Sequence, residues 1–391
     1  MSDDLYWILN HLGENRERHA GAVAPPVYQS SMFAYPDVAS LRVVLKDELE
    51  HPFYTRGHNP TVDILRRKLA ALEGAEDALV FGSGSGAMAA AVIALVSAGD
   101  HVVCVDKPYS WTRALLRDLL PRFAVETTFV DAREPAAVEA ALTGRTRLIV
   151  LESPNSWTFE QQDLAAVAAL AKARGLTTIC DNSYATPLYQ QPIAHGIDLV
   201  VHTLTKYLNG HSDVVGGCVC GTSALIRRIF RGPYMTLGAI MSPHDASLAI
   251  RGLRTLPIRL ERAATTAAAV ADWLRRHPGI DRVYLPGSED DPQRALSSRQ
   301  LKRHSGLLSV EIGGGPEAAE RFCNALQRFL LTCSWGGHES LAWPVCALFD
   351  SENYARARTT LPLNLVRLSI GLEPAEILIA DLQQALAKAR A

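Results

Sequence analysis

Short apolar runs of strand length alternate with helix-like stretches through the first two-thirds of this chain. Between several of these runs the apolar residues follow helical spacing, as in the stripe of Leu164, Val167, Ala168 and Ala171. This alternation predicts an α/β fold with a mostly parallel seven-stranded sheet and helices on both faces. The predicted strands lie at 78–81, 101–105, 125–130, 147–151, 176–181, 198–202 and 215–220.

The two ends of the chain follow different patterns. Helical patterns around 257–276 and 374–389 flank strand-like runs near 306–312 and 365–370, which predicts a smaller C-terminal α/β domain. The first fifty-odd residues are irregular and interrupted by Pro and Gly, as in an arm rather than a domain. Because 391 residues exceed what one hydrophobic core usually supports, we expect more than one domain. The predicted segments are an N-terminal arm (1–56), a larger sheet domain (57–245) and a C-terminal domain (246–391).

Composition argues against two classes of partner. The formal net charge is −2, whereas nucleic acids are bound by clustered excess cations, so we expect no nucleic-acid partner. No apolar stretch reaches membrane-spanning length without a charge, and the N-terminus lacks the features of a signal peptide. Seven irregularly spaced cysteines favour a reducing compartment, and we interpret Cys218 and Cys220 as structural residues rather than metal ligands. We therefore predict a cytoplasmic protein with no metal site and no membrane partner.

Two strand-like runs end in residues that suit a carbonyl cofactor. Asp181 closes one run, and Lys206 follows another, next to two threonines. In an open parallel sheet, ligands bind beyond the carboxyl ends of the strands, where both residues are expected. Pyridoxal 5'-phosphate needs a lysine for its aldehyde, an acid for its ring nitrogen and hydroxyls for its phosphate. A lone lysine is usually a solvated surface residue, but the acid and the threonines favour the cofactor hypothesis.

Three further features agree with such a site, and each has a plain structural alternative. The glycine-rich run 82–86 follows a strand and opens an Ala-rich helix, which is typical of a phosphate site but also of a tight turn. Its spacing differs from GxGxxG, which argues against a dinucleotide-binding oxidoreductase. Tyr109 follows a strand and either stacks on a flat ring or is an ordinary half-buried tyrosine. Arg367 interrupts an apolar strand and needs an anion, either a buried carboxylate or a substrate carboxylate.

Several longer segments resemble one known family, the Cys/Met-metabolism (trans-sulfuration) pyridoxal-phosphate enzymes. This family includes cystathionine γ-synthase, the cystathionine lyases, methionine γ-lyase and O-acetylhomoserine sulfhydrylase. The resemblance covers nearly the whole chain and implies the fold-type-I architecture of pyridoxal-phosphate-dependent transferases, with 57–245 as the cofactor-binding domain. The matching segments are APPVYQ at 24–29, HTLTKYLNGHSD at 202–213, RGLRTL at 251–256 and LSIGLE at 368–373.

The resemblance implies a role for each residue that matches a family motif. Lys206 is the lysine that binds the cofactor covalently, Asp181 pairs with the ring nitrogen, and Tyr109 stacks on the ring. Lys206 and Tyr109 are therefore the predicted catalytic residues. The predicted phosphate ligands are the N–H groups of Gly84 and Ser85 and the hydroxyls of Thr203 and Thr205.

The resemblance also implies a site for the substrate carboxylate. Arg367 matches the arginine that binds this group, with Ser334 and Trp335 beside it. Where the family often has an asparagine that orients the carboxylate, this chain has Asn155 followed by Ser156, and either residue can take that place. Our predicted contact is Ser156.

The segment YTRGHNPT at 54–61 resembles the family's YSRxxNPT segment. In the family, its tyrosine and arginine reach the phosphate in the neighbouring subunit's site. Tyr54 and Arg56 are therefore predicted to bind the cofactor of a second copy. The implied assembly is an active dimer within a homotetramer.

The segment CSWGGHES at 333–340 favours one reaction within the family. It carries the tryptophan of the β-lyase pattern and lacks the glutamate that γ-acting relatives often place before the serine. We therefore expect β-elimination of a sulfur amino acid, with cystathionine giving homocysteine, pyruvate and ammonia.

Two alternatives to that reaction remain. Asn59-Pro60-Thr61 is shared with γ-acting members, and His338 departs from the β-lyase tyrosine, so a γ-lyase, γ-synthase or sulfhydrylase is one alternative. A catalytically idle binding protein on the same fold is the other. An idle protein need not retain the lysine, the acid, the stacking tyrosine and the carboxylate arginine together.

Overall fold

The computed structural model describes residues 4–348 and 361–389, which form two sheets and their covering helices. The strands are β1 (Asp77–Phe81), β2 (His101–Val105), β3 (Glu126–Val130), β4 (Thr146–Glu152), β5 (Thr177–Asp181), β6 (Leu199–Thr203), β7 (Gly217–Gly221), β8 (Ile280–Tyr284), β9 (Leu307–Ile312), β10 (Leu330–Leu331), β11 (Leu341–Pro344) and β12 (Leu365–Ser369). The helices are α1 (Leu5–Asn10), α2 (Val38–Val44), α3 (Pro60–Glu73), α4 (Gly84–Leu95), α5 (Ser110–Ala114), α6 (Pro135–Ala140), α7 (Leu164–Ala173), α8 (Thr186–Tyr189), α9 (Ser223–Ile229), α10 (Met235–Leu237), α11 (Pro243–Arg275), α12 (Arg294–Gln300), α13 (Gly315–Ala325) and α14 (Ala375–Ala389).

The larger sheet has seven strands in the order β1-β7-β6-β5-β4-β2-β3. Strands β6, β5, β4, β2 and β3 run parallel to one another, and β7 is antiparallel to both β1 and β6. The predicted mostly parallel sheet is therefore confirmed, and each predicted strand lies within two residues of its observed bounds. Strands β1, β2 and β7 are buried along their whole length, as expected for a sheet with both faces covered.

The smaller sheet has five strands in the order β10-β11-β12-β9-β8, of which only β10 and β11 pair in parallel. Strands β9 and β12 and helix α14 confirm the predictions for the last third of the chain. The sequence pattern did not predict β8, because Asp281 and Arg282 interrupt its apolar run. It did not predict β10 either, because that strand has only two residues.

Helix α11 spans 33 residues and begins well before the predicted start near 257. Pro257 lies in its interior, where a proline usually ends a helix. Leu253, Leu256 and Leu260 are fully buried around it, so packing outweighs the local cost of the proline. The predicted boundary between 245 and 246 falls in the first turn of this helix, and the division into domains stays a prediction.

The start of the N-terminal arm is anchored to the larger sheet domain. The wholly buried Lys68 of α3 donates hydrogen bonds to the carbonyls of Ile8 and Leu9, at 2.8 and 3.1 Å. Its amine also pairs with Glu14 at 3.1 Å, and Glu14 pairs with Arg254 of α11 at 2.9 Å. A chain of buried ion pairs therefore joins the arm to α3 and α11. In the part of the chain that the structure describes, no helix has the length and apolar character needed to cross a membrane.

Candidate active site

The loops that carry the predicted site residues leave the same edge of the larger sheet. Strand β7 is antiparallel to both β1 and β6, so β1 points in the same direction as the parallel strands. The segments that follow β1, β2, β4, β5 and β6 therefore begin at one carboxyl edge, where open α/β sheets bind ligands.

The phosphate-binding candidates form a cradle between α4 and the end of β6. Ser83 caps α4, since its Oγ accepts a hydrogen bond of 2.9 Å from the Gly86 N–H. A Cβ on Gly84 would lie 2.7 Å from the Cβ of Thr203, so only glycine allows this close approach. The Thr203 and Thr205 hydroxyls both donate to the Gly216 carbonyl, at 3.2 and 3.4 Å. The first N–H groups of α4 have no partner within the helix, and with these hydroxyls they suit a phosphate.

Asp181 is tied to this cradle through Ser183. The Ser183 N–H donates to Asp181 Oδ1 at 3.0 Å, and the Ser183 hydroxyl accepts from the Thr203 N–H at 2.8 Å. Burial raises the pKa of Asp181, while the hydrogen bonds from Ser183 act in the opposite direction. A buried carboxylate of this kind gains from a cationic partner such as a protonated ring nitrogen.

Lys206 lies in a helical turn, Leu204–Leu208, that is broken at the lysine itself by a ψ of −136°. Its amine donates a hydrogen bond of 2.5 Å to the Ser334 hydroxyl and lies 5.5 Å from the centroid of the Trp335 ring. Burial and then the charge of Arg367 lower the pKa of Lys206 to about 8. An appreciable fraction of the amine is therefore neutral near pH 7, and the neutral form is the one that attacks a carbonyl.

Arg367 projects from β12 and is only 7% exposed. Its Nη1 donates to the Ser156 carbonyl at 2.9 Å, and its guanidinium carbon lies 4.6 Å from the centroid of the Trp157 ring. Burial lowers the pKa of Arg367 to about 10. Within residues 4–348 and 361–389, its buried Nε has no hydrogen-bond partner, so this donor is left for an acceptor from outside the chain.

Lys206, which is partly buried, and Arg367, which is buried, have no counter-ion in the described residues. No carboxylate there lies within 4.0 Å of either group. The alternative in which Arg367 pairs with a buried carboxylate is therefore not realised in this part of the chain. The unpaired buried guanidinium of Arg367 favours an anionic ligand, because a buried charge is costly without a partner.

The structure distinguishes Asn155 from Ser156 at the carboxylate site. Asn155 is 2% exposed, and its Oδ1 accepts hydrogen bonds from the N–H groups of Trp157, Thr158 and Phe159. Its side chain is therefore committed to its own loop. Ser156 is the residue beside Arg367, but the contact is made by its main-chain carbonyl rather than by its hydroxyl.

Glu152 was not assigned a role by the sequence, yet it lies between two predicted site residues. It ends β4 and pairs in register with Asp181 on β5. Its carboxylate accepts hydrogen bonds from the N–H groups of Tyr109, at 2.5 Å, and Ser156, at 3.0 Å. Burial and then the charge of Asp181 raise the pKa of Glu152 to about 8. The signal that identified Asp181, an acid at the end of an apolar strand, applies equally to Glu152.

The other predicted residues lie at the rim or beneath Lys206. Tyr109 is partly exposed, burial raises its pKa, and a contact with the Ser85 side chain acts in the opposite direction. Trp335 is buried beneath Lys206. Tyr54 and Arg56 are exposed, and the Arg56 guanidinium lies 5.2 Å from the centroid of the Tyr54 ring.

In the described residues no hydrogen bond or ion pair joins the Tyr54 or Arg56 side chain to Lys206, Asp181 or the phosphate cradle. Within the described part of a single chain these two residues therefore make no direct bond to the other predicted site residues. Their role in a second copy stays a prediction.

Comparison with known proteins identifies the family. The profile of the Cys/Met-metabolism pyridoxal-phosphate-dependent enzymes matches residues 8–387. The chain belongs to this family. An L-methionine γ-lyase from Pseudomonas putida is 40% identical over 379 residues, which cover 96% of this chain and 95% of that protein. A cystathionine γ-synthase from Mycobacterium bovis is 38% identical over 376 residues, with 96% and 95% coverage. The crystal structure of MetB from Corynebacterium glutamicum superimposes with a TM-score of 0.92 at 34% identity and covers 98% of both chains.

Family membership confirms pyridoxal phosphate as the cofactor and fold type I as the architecture. The site geometry agrees with this cofactor through two independent features. The buried amine of Lys206 has a lowered pKa, as a covalent link to an aldehyde requires. Gly84 lies so close to Thr203 that any side chain on Gly84 would collide with the Thr203 Cβ at the cradle. The substrate is a small molecule, an amino acid, as for the family as a whole.

Proposed function

We propose that this chain cleaves or exchanges the bond at Cγ of a sulfur amino acid, with γ-elimination of a methionine-type thioether as its main reaction. The methionine γ-lyase and cystathionine γ-synthase relatives both carry γ in their names, and both align over nearly the whole chain. They support the γ-acting alternative better than the β-elimination that we expected from the segment 333–340. The coarser conclusion, a pyridoxal-phosphate enzyme of carbon–sulfur chemistry, is common to both reactions.

Lys206 and Arg367 lie close enough for the charge of the arginine to lower the pKa of the lysine, and this proximity is the observation that carries the proposal. An amino-acid substrate offers one carboxylate and one amine. The unpaired Nε of Arg367 is available to the carboxylate, which places the α-carbon near the neutral amine of Lys206. A catalytically idle protein gains nothing from a buried arginine without a counter-ion, because burying its charge costs stability.

The chain's own residues supply the remaining steps of a γ-elimination. Bound pyridoxal phosphate supplies an electron sink for the pair released when the bond between Cα and hydrogen breaks. Lys206 would take that proton, pass it on to the bound cofactor and, neutral again, take a second proton from Cβ, since loss of the Cγ substituent requires both deprotonations. Asp181 would hold the positive ring nitrogen, and the Thr203 and Thr205 hydroxyls would turn from the Gly216 carbonyl to hold the phosphate. Tyr109 would cover the ring, and its hydroxyl, which contacts the Ser85 side chain, would protonate the leaving thiolate.

The segment 333–340 is the observation that keeps β-elimination as the second candidate. Trp335 occupies the wall beneath Lys206, and Cys333 stands where γ-acting relatives often have a glutamate. Without that carboxylate, this side of the site stabilises less well the charge that moves when the second proton leaves Cβ, as γ-elimination requires. Product identity separates the two candidates directly.

The test is to incubate the purified enzyme and pyridoxal phosphate with L-methionine and, separately, with L-cystathionine. We expect methionine to give 2-oxobutyrate, ammonia and methanethiol, and cystathionine to give 2-oxobutyrate, ammonia and cysteine. Pyruvate and homocysteine as the dominant products from cystathionine would establish β-elimination instead. No turnover of any sulfur amino acid, together with normal cofactor binding, would support the idle protein.

A further inference from the structure

A buried carboxylate joins two walls of the active site. Glu152 is 6% exposed, and its two oxygens serve two different loops. Its Oε2 accepts from the N–H of Tyr109, in the loop after β2, and its Oε1 accepts from the N–H of Ser156, in the loop after β4. In the described parts of the chain no lysine, arginine or histidine pairs with it. Main-chain amides therefore hold this carboxylate, and the carboxylate in turn holds both loops.

Each of these two amides belongs to a residue with a second contact in the site. The Tyr109 ring lies at the carboxyl edge of the sheet, where the cofactor ring is expected. The Ser156 carbonyl accepts a hydrogen bond from Arg367 at 2.9 Å. One side chain thus connects the residue above the cofactor ring with the residue that binds the substrate carboxylate.

We propose that Glu152 is a positioning residue that sets the distance between Tyr109 and Arg367, and thereby the spacing between cofactor ring and substrate carboxylate. Both of its oxygens accept main-chain N–H groups, so it would act through the two loops rather than on a ligand. The inference rests on the proposed role of Arg367 in carboxylate binding. Both oxygens are in use, so an amide is a poor substitute: glutamine offers one acceptor oxygen and sets its NH₂ group against the second N–H.

The first test compares Glu152→Gln and Glu152→Asp with the wild-type holoenzyme. The control is Glu139→Gln, the same chemical change at an exposed carboxylate that pairs with Arg174 on the surface. The readouts are KM, kcat, the visible circular dichroism of the bound cofactor, and the dissociation constant of 3-(methylthio)propionate, which carries the carboxylate and thioether but no amine. Trp157 stacks on Arg367, so protein fluorescence reports the binding of this probe.

Glu152→Gln is expected to raise KM and the probe's dissociation constant about tenfold or more, with a much smaller change in kcat. The circular dichroism of the cofactor should change as well, because the Tyr109 ring is released. Glu152→Asp should fall between, since it keeps both carboxyl oxygens but is too short to reach both amides, and Glu139→Gln should match the wild type. Unchanged probe affinity and unchanged circular dichroism in Glu152→Gln would overturn the proposal.

A second measurement needs no variant and no turnover. In the wild-type enzyme, hydrogen exchange at the Tyr109 and Ser156 amides should be slow, since a buried carboxylate binds both. Exchange at both positions as fast as in exposed loops would overturn the proposal even if the variants do not fold. If the enzyme is active but these two amides exchange rapidly, only the proposed role of Glu152 is contradicted. Protected amides in a protein without γ-elimination activity would count against the proposed function alone.

Discussion

The amine of Lys206 donates a hydrogen bond of 2.5 Å to the hydroxyl of Ser334, which lies 128 positions further along the chain. Ser334 adopts a φ of +81°, a backbone conformation that L-residues rarely occupy. Gly336, two residues on, also has a φ of +81° and lies directly against Tyr207. The loop before β11 and the turn that carries Lys206 are therefore packed against each other, and the position of the amine depends on both.

The first prediction concerns the protonation of Lys206. Ser334→Ala removes the acceptor that favours the charged amine, so the pKa of Lys206, about 8 in the wild type, should fall by about one unit. Recombination of the apoenzyme with pyridoxal phosphate needs the neutral amine, so its rate should decline as the pH drops through that pKa. The midpoint should therefore lie lower in Ser334→Ala. Ser298→Ala, at an exposed serine, is the control, and an unshifted midpoint in Ser334→Ala would exclude this role for the hydrogen bond.

The second prediction concerns the glycine beneath Lys206. A Cβ on Gly336 would lie 2.7 Å from the Tyr207 nitrogen, whereas a Cβ on Gly99, with a φ of +91°, would meet nothing within 4 Å. Alanine at Gly99 therefore measures backbone strain alone, and alanine at Gly336 adds a collision. We expect Gly336→Ala to cost about 1–3 kcal/mol more in the free energy of unfolding and to lower kcat. Equal stability losses in the two variants, measured by denaturant unfolding, would contradict the packing described above.

The third prediction concerns the substrate carboxylate. Arg367→Leu removes one partner of a buried charge pair, so KM should rise by about a hundredfold or more, while cofactor binding is retained. Because the charge of Arg367 lowers the pKa of Lys206, that pKa should rise in the variant. Arg174→Leu, at an exposed arginine, should leave both quantities unchanged. An unchanged KM in Arg367→Leu would mean that the carboxylate binds elsewhere.

The fourth prediction concerns sites shared between two copies. If Arg56 serves a neighbour's phosphate, inactive Arg56→Ala chains mixed with inactive Lys206→Ala chains should form hybrid dimers with one complete site. After random exchange this restores about a quarter of wild-type activity. Mixing Arg367→Leu with Lys206→Ala should restore nothing, because both residues belong to the same chain's site. No difference between the two mixtures, after verified subunit exchange, would argue against sharing through Arg56.

The sequence predicted the larger sheet well because local pattern and tertiary environment agree there. Strands buried on both faces are continuous apolar runs, and the residues that end them, Asp181 and Thr203, were read directly from those runs. The length of α11 was underestimated because its helical pattern was recognised only from about 257, and the buried residues on both sides of Pro257 show that the helix continues through the proline.

Contacts between distant segments were not visible in the sequence. The Ser156 carbonyl meets Arg367 across 211 positions, and the Glu152 carboxylate meets Tyr109 across 43. The periodicity of a local segment does not predict which distant side chain its main-chain groups will contact. The choice between Asn155 and Ser156 therefore needed the folded loop, and the role of Glu152 was not predicted at all.

The covalent link between cofactor and chain tests the central claim most directly. The purified holoenzyme should be yellow, and borohydride reduction should fix the cofactor irreversibly to a single peptide that contains Lys206. Lys206→Ala should lose the label and nearly all activity, whereas Lys172→Ala, at an exposed lysine of α7, should keep both. A label on any other lysine, or a wild-type protein that binds no pyridoxal phosphate at all, would contradict the account.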